Sequence, residues 1–230
     1  MIRIFQRHCN FSTQSAHKPR PEWFDREKIF DSFISTLDER VDYTAFHDSG
    51  NGTIKDHFLQ SKNVNKVSML GGNDAQSFLN VLNYVVKQNY DDNDIIYFLE
   101  DDYLHRVGWV DVMLEGFEYI GADYYTLYDH PDKYFLSMYG NLQSKIIVTP
   151  LTHWRTTPST TNTYACKFET LKKHLDIHIQ YCDLVEKWTK DHDKFTHLWQ
   201  VGSNLISCMP GYSTHVEGNM LSPLIDWSKI

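Results

Sequence analysis

The chain has 230 residues, of which 41% are hydrophobic and 23% are charged. This composition supports a sizeable core and excludes a globally disordered protein, and an α/β chain of this length commonly folds as one domain. The 22 basic and 30 acidic residues give a net charge of −8, which argues against a nucleic-acid partner. A small phosphate ligand stays compatible with this charge, because a bound cation can reverse the local field.

The cysteines Cys9, Cys166, Cys182 and Cys208 lie far apart and form no CxxC pair. They predict neither a zinc ribbon nor a disulfide framework, and reduced thiols in the cytosol are the simplest account of them. The sequence shows no signal peptide and no apolar run of transmembrane length. We therefore expect a cytoplasmic protein without a transmembrane segment.

Short apolar strands alternate with amphipathic helices along the first half of the chain. The predicted elements are a strand at 2–5, a helix at 25–39, a strand at 41–45, a strand at 67–70 and a helix at 75–86. This alternation is typical of an α/β fold with a mainly parallel central sheet and helices on both faces. The pattern GxxxxGK[ST] is absent and so is GxGxxG, which excludes a P-loop and a dinucleotide fingerprint.

The most informative stretch is an apolar run, 95–99, that ends in Glu100, Asp101 and Asp102. The run predicts a buried strand, and a helical pattern follows it. Three carboxylates at one strand end repel one another, and a hard cation such as Mg²⁺ or Mn²⁺ relieves that repulsion. Because ligands of α/β sheets bind beyond the carboxyl ends of the strands, we predict a metal–phosphate site here. The alternative is a solvated turn in which an Asp caps the next helix.

The second half of the chain is less regular. We predict strands at 124–128, 145–149 and 205–209, the last of these being the final strand, and helical spacing over 168–199. No repeat or linker is present, which predicts a single domain over 1–230. A nucleotide-binding half would occupy 1–120 and an acceptor-side half 121–230.

The order of these features resembles a glycosyltransferase of the GT-A (Rossmann-like) fold, similar to family 2. Glu100-Asp101-Asp102 matches the DXD-like motif of such enzymes, and Asp191-His192-Asp193 resembles the acidic motif that opens the acceptor-side helix. The strand at 205–209 and the later His215 follow in the same order. The chain departs from the pattern at Lys190, where a Glu is usual, and this leaves the catalytic base open.

The resemblance implies roles for four residues. Asp102 would bind Mn²⁺ or Mg²⁺ directly, His215 would complete the coordination, and Asp101 would lie nearer the ribose. Asp191, with Asp193 in reserve, would take the proton of the acceptor hydroxyl in an inverting transfer. Whether the transfer inverts or retains the configuration of the sugar stays open, and a retaining transfer would require no such base. The alternatives without a catalytic role are that His215 is an ordinary surface histidine and that Asp191 and Asp193 are solvated acids at the start of a helix.

Donor-binding groups are expected at the strand ends of the first half. Arg7 could contact the base or phosphate, Asp48 could accept hydrogen bonds from the base or ribose, and Gly71 and Gly72 permit close backbone approach. The alternative is that these residues only form turns and bind no ligand.

Acceptor-binding groups are expected in the polar segment 153–163, whose hydroxyls and single indole suit a sugar surface. Trp154, Arg155 and Thr160 are the candidates, and an ordinary Ser/Thr-rich loop is the alternative.

These features lead to the hypothesis of a metal-dependent glycosyltransferase that moves a sugar from a nucleotide-sugar, with UDP as the nucleotide, to a carbohydrate or other hydroxyl acceptor. A nucleotidyltransferase is the second hypothesis, although such an enzyme ordinarily carries a glycine-rich, basic phosphate loop that the start of this chain lacks. A non-catalytic nucleotide- or carbohydrate-binding module is the third. The sequence leaves the sugar, the acceptor and the oligomeric state open.

Overall fold

The computed structural model describes all of residues 1–230 and is built around one nine-stranded sheet. The strands are β1 (Ile2–Cys9), β2 (Val41–Asp48), β3 (Asn65–Met69), β4 (Ile95–Glu100), β5 (Tyr103–His105), β6 (Tyr124–Thr126), β7 (Ile146–Val148), β8 (His153–Thr156), β9 (Tyr164–Lys167), β10 (Cys182–Asp183), β11 (Trp188–Thr189), β12 (Leu205–Met209) and β13 (Ser213–His215). In space the large sheet has the order β3-β2-β1-β4-β9-β6-β12-β8-β7. The remaining strands form two small sheets, β10 with β11 and β13 with β5.

Helices cover both faces of the large sheet. They are α1 (Arg26–Ser35), α2 (Asp74–Val85), α3 (Trp109–Tyr119), α4 (Asp132–Phe135), α5 (Phe168–Lys173), α6 (Leu175–Gln180) and α7 (Asp191–Gln200). Successive residues of β4 point to opposite faces: Tyr97 packs on Trp109 of α3, whereas Phe98 packs on Phe78 of α2. The apolar run of β4 is therefore buried in two separate cores, as its lack of alternation predicts. The predicted α/β fold class is confirmed.

Parallel pairing joins β3, β2, β1 and β4, so the carboxyl ends of these strands meet at one edge. In the register of the pairs, Arg7 of β1 lies beside both Phe46 of β2 and Glu100 of β4. The exits of β1, β2 and β4 consequently open onto a common space, which is where a ligand is expected in this class of sheet.

The second half of the sheet is mixed, and here several predictions fail. The segment 153–163, expected to be a polar surface, contains β8 and leads directly into β9. The helical spacing over 168–199 is divided among α5, α6 and α7, with the β10–β11 hairpin inserted before α7. The strand at 205–209 is present as β12, but β13 follows it and is the final strand.

The small β5–β13 sheet brings the end of the chain back to the acidic turn. Its antiparallel register places His215 opposite Tyr103, and the two rings stack at 5.1 Å between centroids. A residue near the C-terminus is thereby held beside Asp102, although 113 positions separate the two in the sequence.

None of the helices combines the length and the apolar character that crossing a bilayer would require.

Candidate functional site

A cleft of about 470 Å³ opens at the carboxyl ends of β1, β2 and β4. Its floor is formed by these strand ends and its walls by the loop that follows β1, by the β10–β11 hairpin and by the start of α7. Six carboxylates line it, from Asp48, Asp74, Glu100, Asp101, Asp102 and Asp191. The same lining carries three permanently cationic side chains, from Arg7, Lys18 and Arg26.

Asp102 and His215, which were predicted to bind one metal ion together, form an ion pair at one side of this cleft. The His215 Nε2 atom lies 2.9 Å from Asp102 Oδ2, and the Arg20 guanidinium donates to the same oxygen at 2.8 Å. Burial alone would raise the pKa of Asp102, but His215 and Arg20 hold it well below its usual value. Burial would likewise lower the pKa of His215, and the Asp102 charge raises it instead. Both shifts favour the charged forms, so an ion pair between Asp102 and His215 is favoured over a neutral hydrogen bond.

Glu100 belongs to a different network, centred on Arg7. The two Nη atoms of Arg7 donate to Glu100 Oε1 at 2.9 Å and to Asp74 Oδ1 at 2.8 Å. Asp74 accepts two further hydrogen bonds, from the Thr189 amide at 2.9 Å and its hydroxyl at 2.7 Å. Arg7 therefore joins β1, β4 and the first turn of α2, while Asp74 ties the hairpin to them. Burial raises the pKa of Glu100 to about 7 against the opposing charge of Arg7.

Asp101 has partners that differ from those of the other two acids. Its Oδ1 lies 3.4 Å from Arg26 Nε, and its carboxylate oxygens share a site with the imidazoles of His8 and His57. Burial raises the pKa of Asp101 to about 6, although Arg26 opposes the shift. The three carboxylates of the DXD-like motif thus have separate cationic partners and do not converge on one point.

Asp191 lines the cleft at the first residue of α7, where the acidic motif predicted a helix start. Lys194, one turn later and almost fully buried, donates to Asp191 Oδ1 at 3.2 Å. Burial raises the pKa of Asp191 while Lys194 opposes the shift. Asp193 is exposed and does not line the cleft. Of the two predicted candidates, only Asp191 is placed where it could take a proton from a bound ligand.

Asp48 lines the cleft, but turn contacts occupy its carboxylate. Oδ1 accepts hydrogen bonds from the amides of Gly50 and Gly71 at 2.9 Å and of Gly72 at 3.0 Å. A Cβ added to Gly50 would lie 2.3 Å from Gly72 Cα, and Gly72 has φ +75°, so both positions require glycine. Asp48, Gly71 and Gly72 hold the exits of β2 and β3 together.

The predicted acceptor residues Trp154, Arg155 and Thr160 do not line the cleft, although Thr161 of the same segment does. Trp154 is fully buried in β8, where it packs in the core under α3. Arg155 donates to the buried Asp129 at 2.6 Å, and the Thr160 hydroxyl faces Thr126 at 3.3 Å. These side chains are therefore structural. The indole of this segment packs in the core, whereas most of its hydroxyls lie in the loop 157–163 between β8 and β9.

Sequence reasoning missed several side chains that build the cleft. Lys18, Arg20 and Arg26 come from the loop after β1 and from the start of α1, and Phe11 lies in the same loop. Trp188 comes from the hairpin and is 54% exposed at the cleft. The available signal was the density of cationic residues between the first strand and the first helix.

No protein-family model matches this sequence, and no curated protein matches it. Among solved structures, the chain is similar to CMP:2-keto-3-deoxy-manno-octonic acid synthetase in complex with CTP. The TM-score is 0.52 at 12% sequence identity, and the likeness covers 91% of this chain and 92% of that one. This likeness establishes the fold. It is a Rossmann-like fold shared with a nucleotide-binding enzyme.

The comparison corrects the main functional hypothesis drawn from the sequence. Glycosyl transfer from a nucleotide-sugar is contradicted, because the similar structure is a synthetase bound to CTP, which agrees better with the nucleotidyltransferase alternative. The assignment to glycosyltransferase family 2 is likewise not supported, whereas the Rossmann-like α/β fold is retained.

Proposed function

We propose that the protein is a nucleotidyltransferase that binds a nucleoside triphosphate in the cleft described above. An acceptor oxygen would attack the α-phosphorus, the bond to the β-phosphate would break, and pyrophosphate would leave. The observation that carries this proposal is the position of the cleft, at the carboxyl ends of the parallel strands in a fold similar to that of a CTP-bound synthetase.

Cationic side chains from the segment after β1 support binding of a polyphosphate. Lys18 lines the cleft. Arg20 forms an ion pair with Asp102, and Arg26 forms one with Asp101. We expected the start of the chain to lack a basic phosphate loop; the segment contains no glycine, yet it supplies three cations around the cleft. Guanidinium groups suit this task because they bind phosphate oxygens in a bidentate manner.

A divalent cation belongs to the proposal because the six carboxylates of the cleft outnumber its three permanent cations. A nucleoside triphosphate is itself strongly anionic, so an added positive charge is needed to bind it here. Asp102 with His215 would hold Mn²⁺ or Mg²⁺, and the mixed oxygen and nitrogen ligands favour Mn²⁺. The pair fits this role if Arg20 transfers its contact from Asp102 to the phosphate. The cation would act as a Lewis acid on the phosphate oxygens.

Asp191 is the proposed general base for the acceptor hydroxyl. Its carboxylate lines the cleft, and the raised pKa that burial gives it makes it a better proton acceptor than an exposed Asp. Lys194 would hold it in place and stabilise its charged form. Arg7 would position the phosphates through the network that joins β1 to α2.

The test measures nucleotide binding by calorimetry and pyrophosphate release by a coupled assay, for CTP, UTP, ATP and GTP with Mg²⁺ or Mn²⁺. Sugar acids are the first acceptors to try. We expect Asp191→Asn to keep nucleotide binding and to lose at least about 100-fold in turnover. Asp193→Asn, two residues away but exposed, is the matched control and should be unchanged. Failure of all four triphosphates to bind with either cation would rule the function out.

Trp188 provides a platform on which a nucleobase can stack. It is a large ring that lines the cleft and is 54% exposed, so its face is accessible to a ligand. Stacking of a base on an aromatic ring contributes about 1–3 kcal/mol, so Trp188→Ala should weaken nucleotide binding by about 5- to 150-fold. Trp199→Ala, at a ring that is 71% exposed on α7 and outside the cleft lining, is the control. Equal affinities for the two variants would show that Trp188 does not contact the base.

A further inference from the structure

We propose that His8, His57 and Asp101 form a binding site for a transition-metal ion of the zinc class, separate from the Asp102–His215 pair. One candidate ligand atom from each of the three residues lies within 4.8 Å of the other two. The residues are buried, with exposures of 2%, 8% and 8%. They come from the end of β1, from the turn before Phe58 and from the turn after β4.

The hydrogen bonds of His8 leave one ring nitrogen free for a metal. Tyr43 donates its hydroxyl proton to Gln6 Oε1 at 2.7 Å. The oxygen of Tyr43 therefore accepts from His8 Nε2, which lies 3.2 Å away. With the proton on Nε2, His8 Nδ1 carries a lone pair, and that atom is buried without any partner. Metal-binding histidines are held in this way, with the other nitrogen donating to a fixed acceptor.

Asp101 presents a second atom of the same kind. Its Oδ2 is buried without a hydrogen-bond partner, although a buried carboxylate oxygen ordinarily has one. Oδ1 lies 3.4 Å from Arg26 Nε, which is too poorly aligned to satisfy that nitrogen. His8 and Asp101 each have one buried acceptor atom without a partner, and both residues belong to a group whose candidate ligand atoms lie within 4.8 Å of one another. A cation bound by this group would give such atoms a partner.

His57 is the third proposed ligand, and metal binding would break one of its hydrogen bonds. Its Nδ1 accepts a hydrogen bond of 3.2 Å from the Leu59 amide, at the start of the short 3₁₀ helix Phe58–Ser61. In the neutral ring the proton is then on Nε2, so binding through Nε2 requires the tautomer with the proton on Nδ1 and gives up this long bond.

Two imidazoles and one carboxylate suit Zn²⁺, whereas Mg²⁺ prefers an all-oxygen set. Burial lowers the pKa of both imidazoles, that of His57 to about 4, so both are neutral and able to bind a metal at pH 7. His8 and Asp101 also line the cleft. A fourth coordination position would therefore face the cleft and be open to water or to a ligand.

The test is titration of Zn²⁺ into the metal-stripped, tag-free protein, followed by calorimetry and by metal analysis of the recovered protein. We expect one Zn²⁺ per chain that Mg²⁺ does not displace. Tyr43→Phe, which removes the hydroxyl that links His8 to Gln6 and keeps all three ligands, should weaken binding by about 10- to 100-fold, and His8→Ala or His57→Ala should weaken it further. Arg26→Gln should strengthen binding because it removes a cation from beside Asp101.

The exposed His17, at the mouth of the cleft, provides a control, and His17→Ala should bind Zn²⁺ like the wild type. Absence of stoichiometric Zn²⁺ from the wild type would overturn the proposal. So would unchanged affinity in both Tyr43→Phe and Arg26→Gln, two variants that keep all three ligands and do not depend on how well the histidine variants fold. No nucleotide is present in this experiment, so its outcome is independent of the proposed nucleotidyl transfer.

Discussion

Replacing Asp102 by Asn is expected to destabilise the protein by about 3 kcal/mol and to lower its melting temperature by about 6–12 °C. The carboxylate is the common partner of His215 and Arg20, at 2.9 and 2.8 Å, and all three side chains are at most 14% exposed. An amide in its place leaves the poorly solvated Arg20 guanidinium without its carboxylate partner and leaves His215 with only Glu217, whose Oε2 lies 3.4 Å from its Nδ1. The measurement is thermal unfolding monitored by circular dichroism, without added metal or nucleotide.

Asp226→Asn is the matched control for this prediction. Asp226 also forms an ion pair, with Lys229 at 2.7 Å, but both side chains are more than half exposed. Solvent screens such pairs, so we expect no measurable change in the melting temperature. A similar change in the two variants would mean that Asp102 acts as a surface charge and not as the centre of a buried network.

Arg155→Met is expected to cost about 3–5 kcal/mol of stability, because it leaves the Asp129 carboxylate without its cation. Asp129 is completely buried, and the Arg155 guanidinium donates to it at 2.6 Å. Burial already raises the pKa of Asp129 against the opposing effect of Arg155. Urea unfolding should show a lower midpoint with an unchanged slope. Nucleotide affinity of the folded fraction should stay at the wild-type value, because Arg155 lies outside the cleft.

The double variant Asp129→Asn with Arg155→Met separates charge burial from packing. It should recover part of the lost stability, since no uncompensated charge remains. Arg40→Met is the control for removal of an arginine from a salt bridge, because Arg40 is 42% exposed where it pairs with Asp38 and Asp111. Unchanged stability in Arg155→Met would show that the buried pair contributes nothing.

The sequence was sufficient to predict the parallel half of the sheet. Apolar runs such as 95–99 are typical of strands buried on both faces, and Asn73 caps α2 through its side chain, which accepts from the Gln76 amide at 3.0 Å. The acidic turn after β4 and its association with His215 were also predicted, the second only through resemblance to a family. Local pattern alone contains no information about a contact across 113 residues.

The strands of the mixed half of the sheet could not be predicted from the sequence, and the reason is physical. β8 and β9 are four-residue strands, too short to show a clear periodic pattern, and their burial depends on neighbours that are distant in sequence. Trp154 illustrates this: its indole fills the space against Gly116 of α3, where an added Cβ would lie 2.9 Å from the ring. A tryptophan in a hydroxyl-rich segment gives the same local signal whether it is core or surface.

The placement of β9 determines how the two halves of the chain depend on each other. β9, from the second half, lies between β4 and β6 and pairs antiparallel with Ile95–Phe98. A fragment that ended near residue 120 would expose the hydrogen-bonding edge of β4, together with buried side chains such as Ile96 and Phe98. An uncovered, apolar strand edge is a template for intermolecular pairing. We therefore expect that residues 1–120 do not fold on their own, because the edge of β4 is protected only after about 165 residues of the chain have been synthesised.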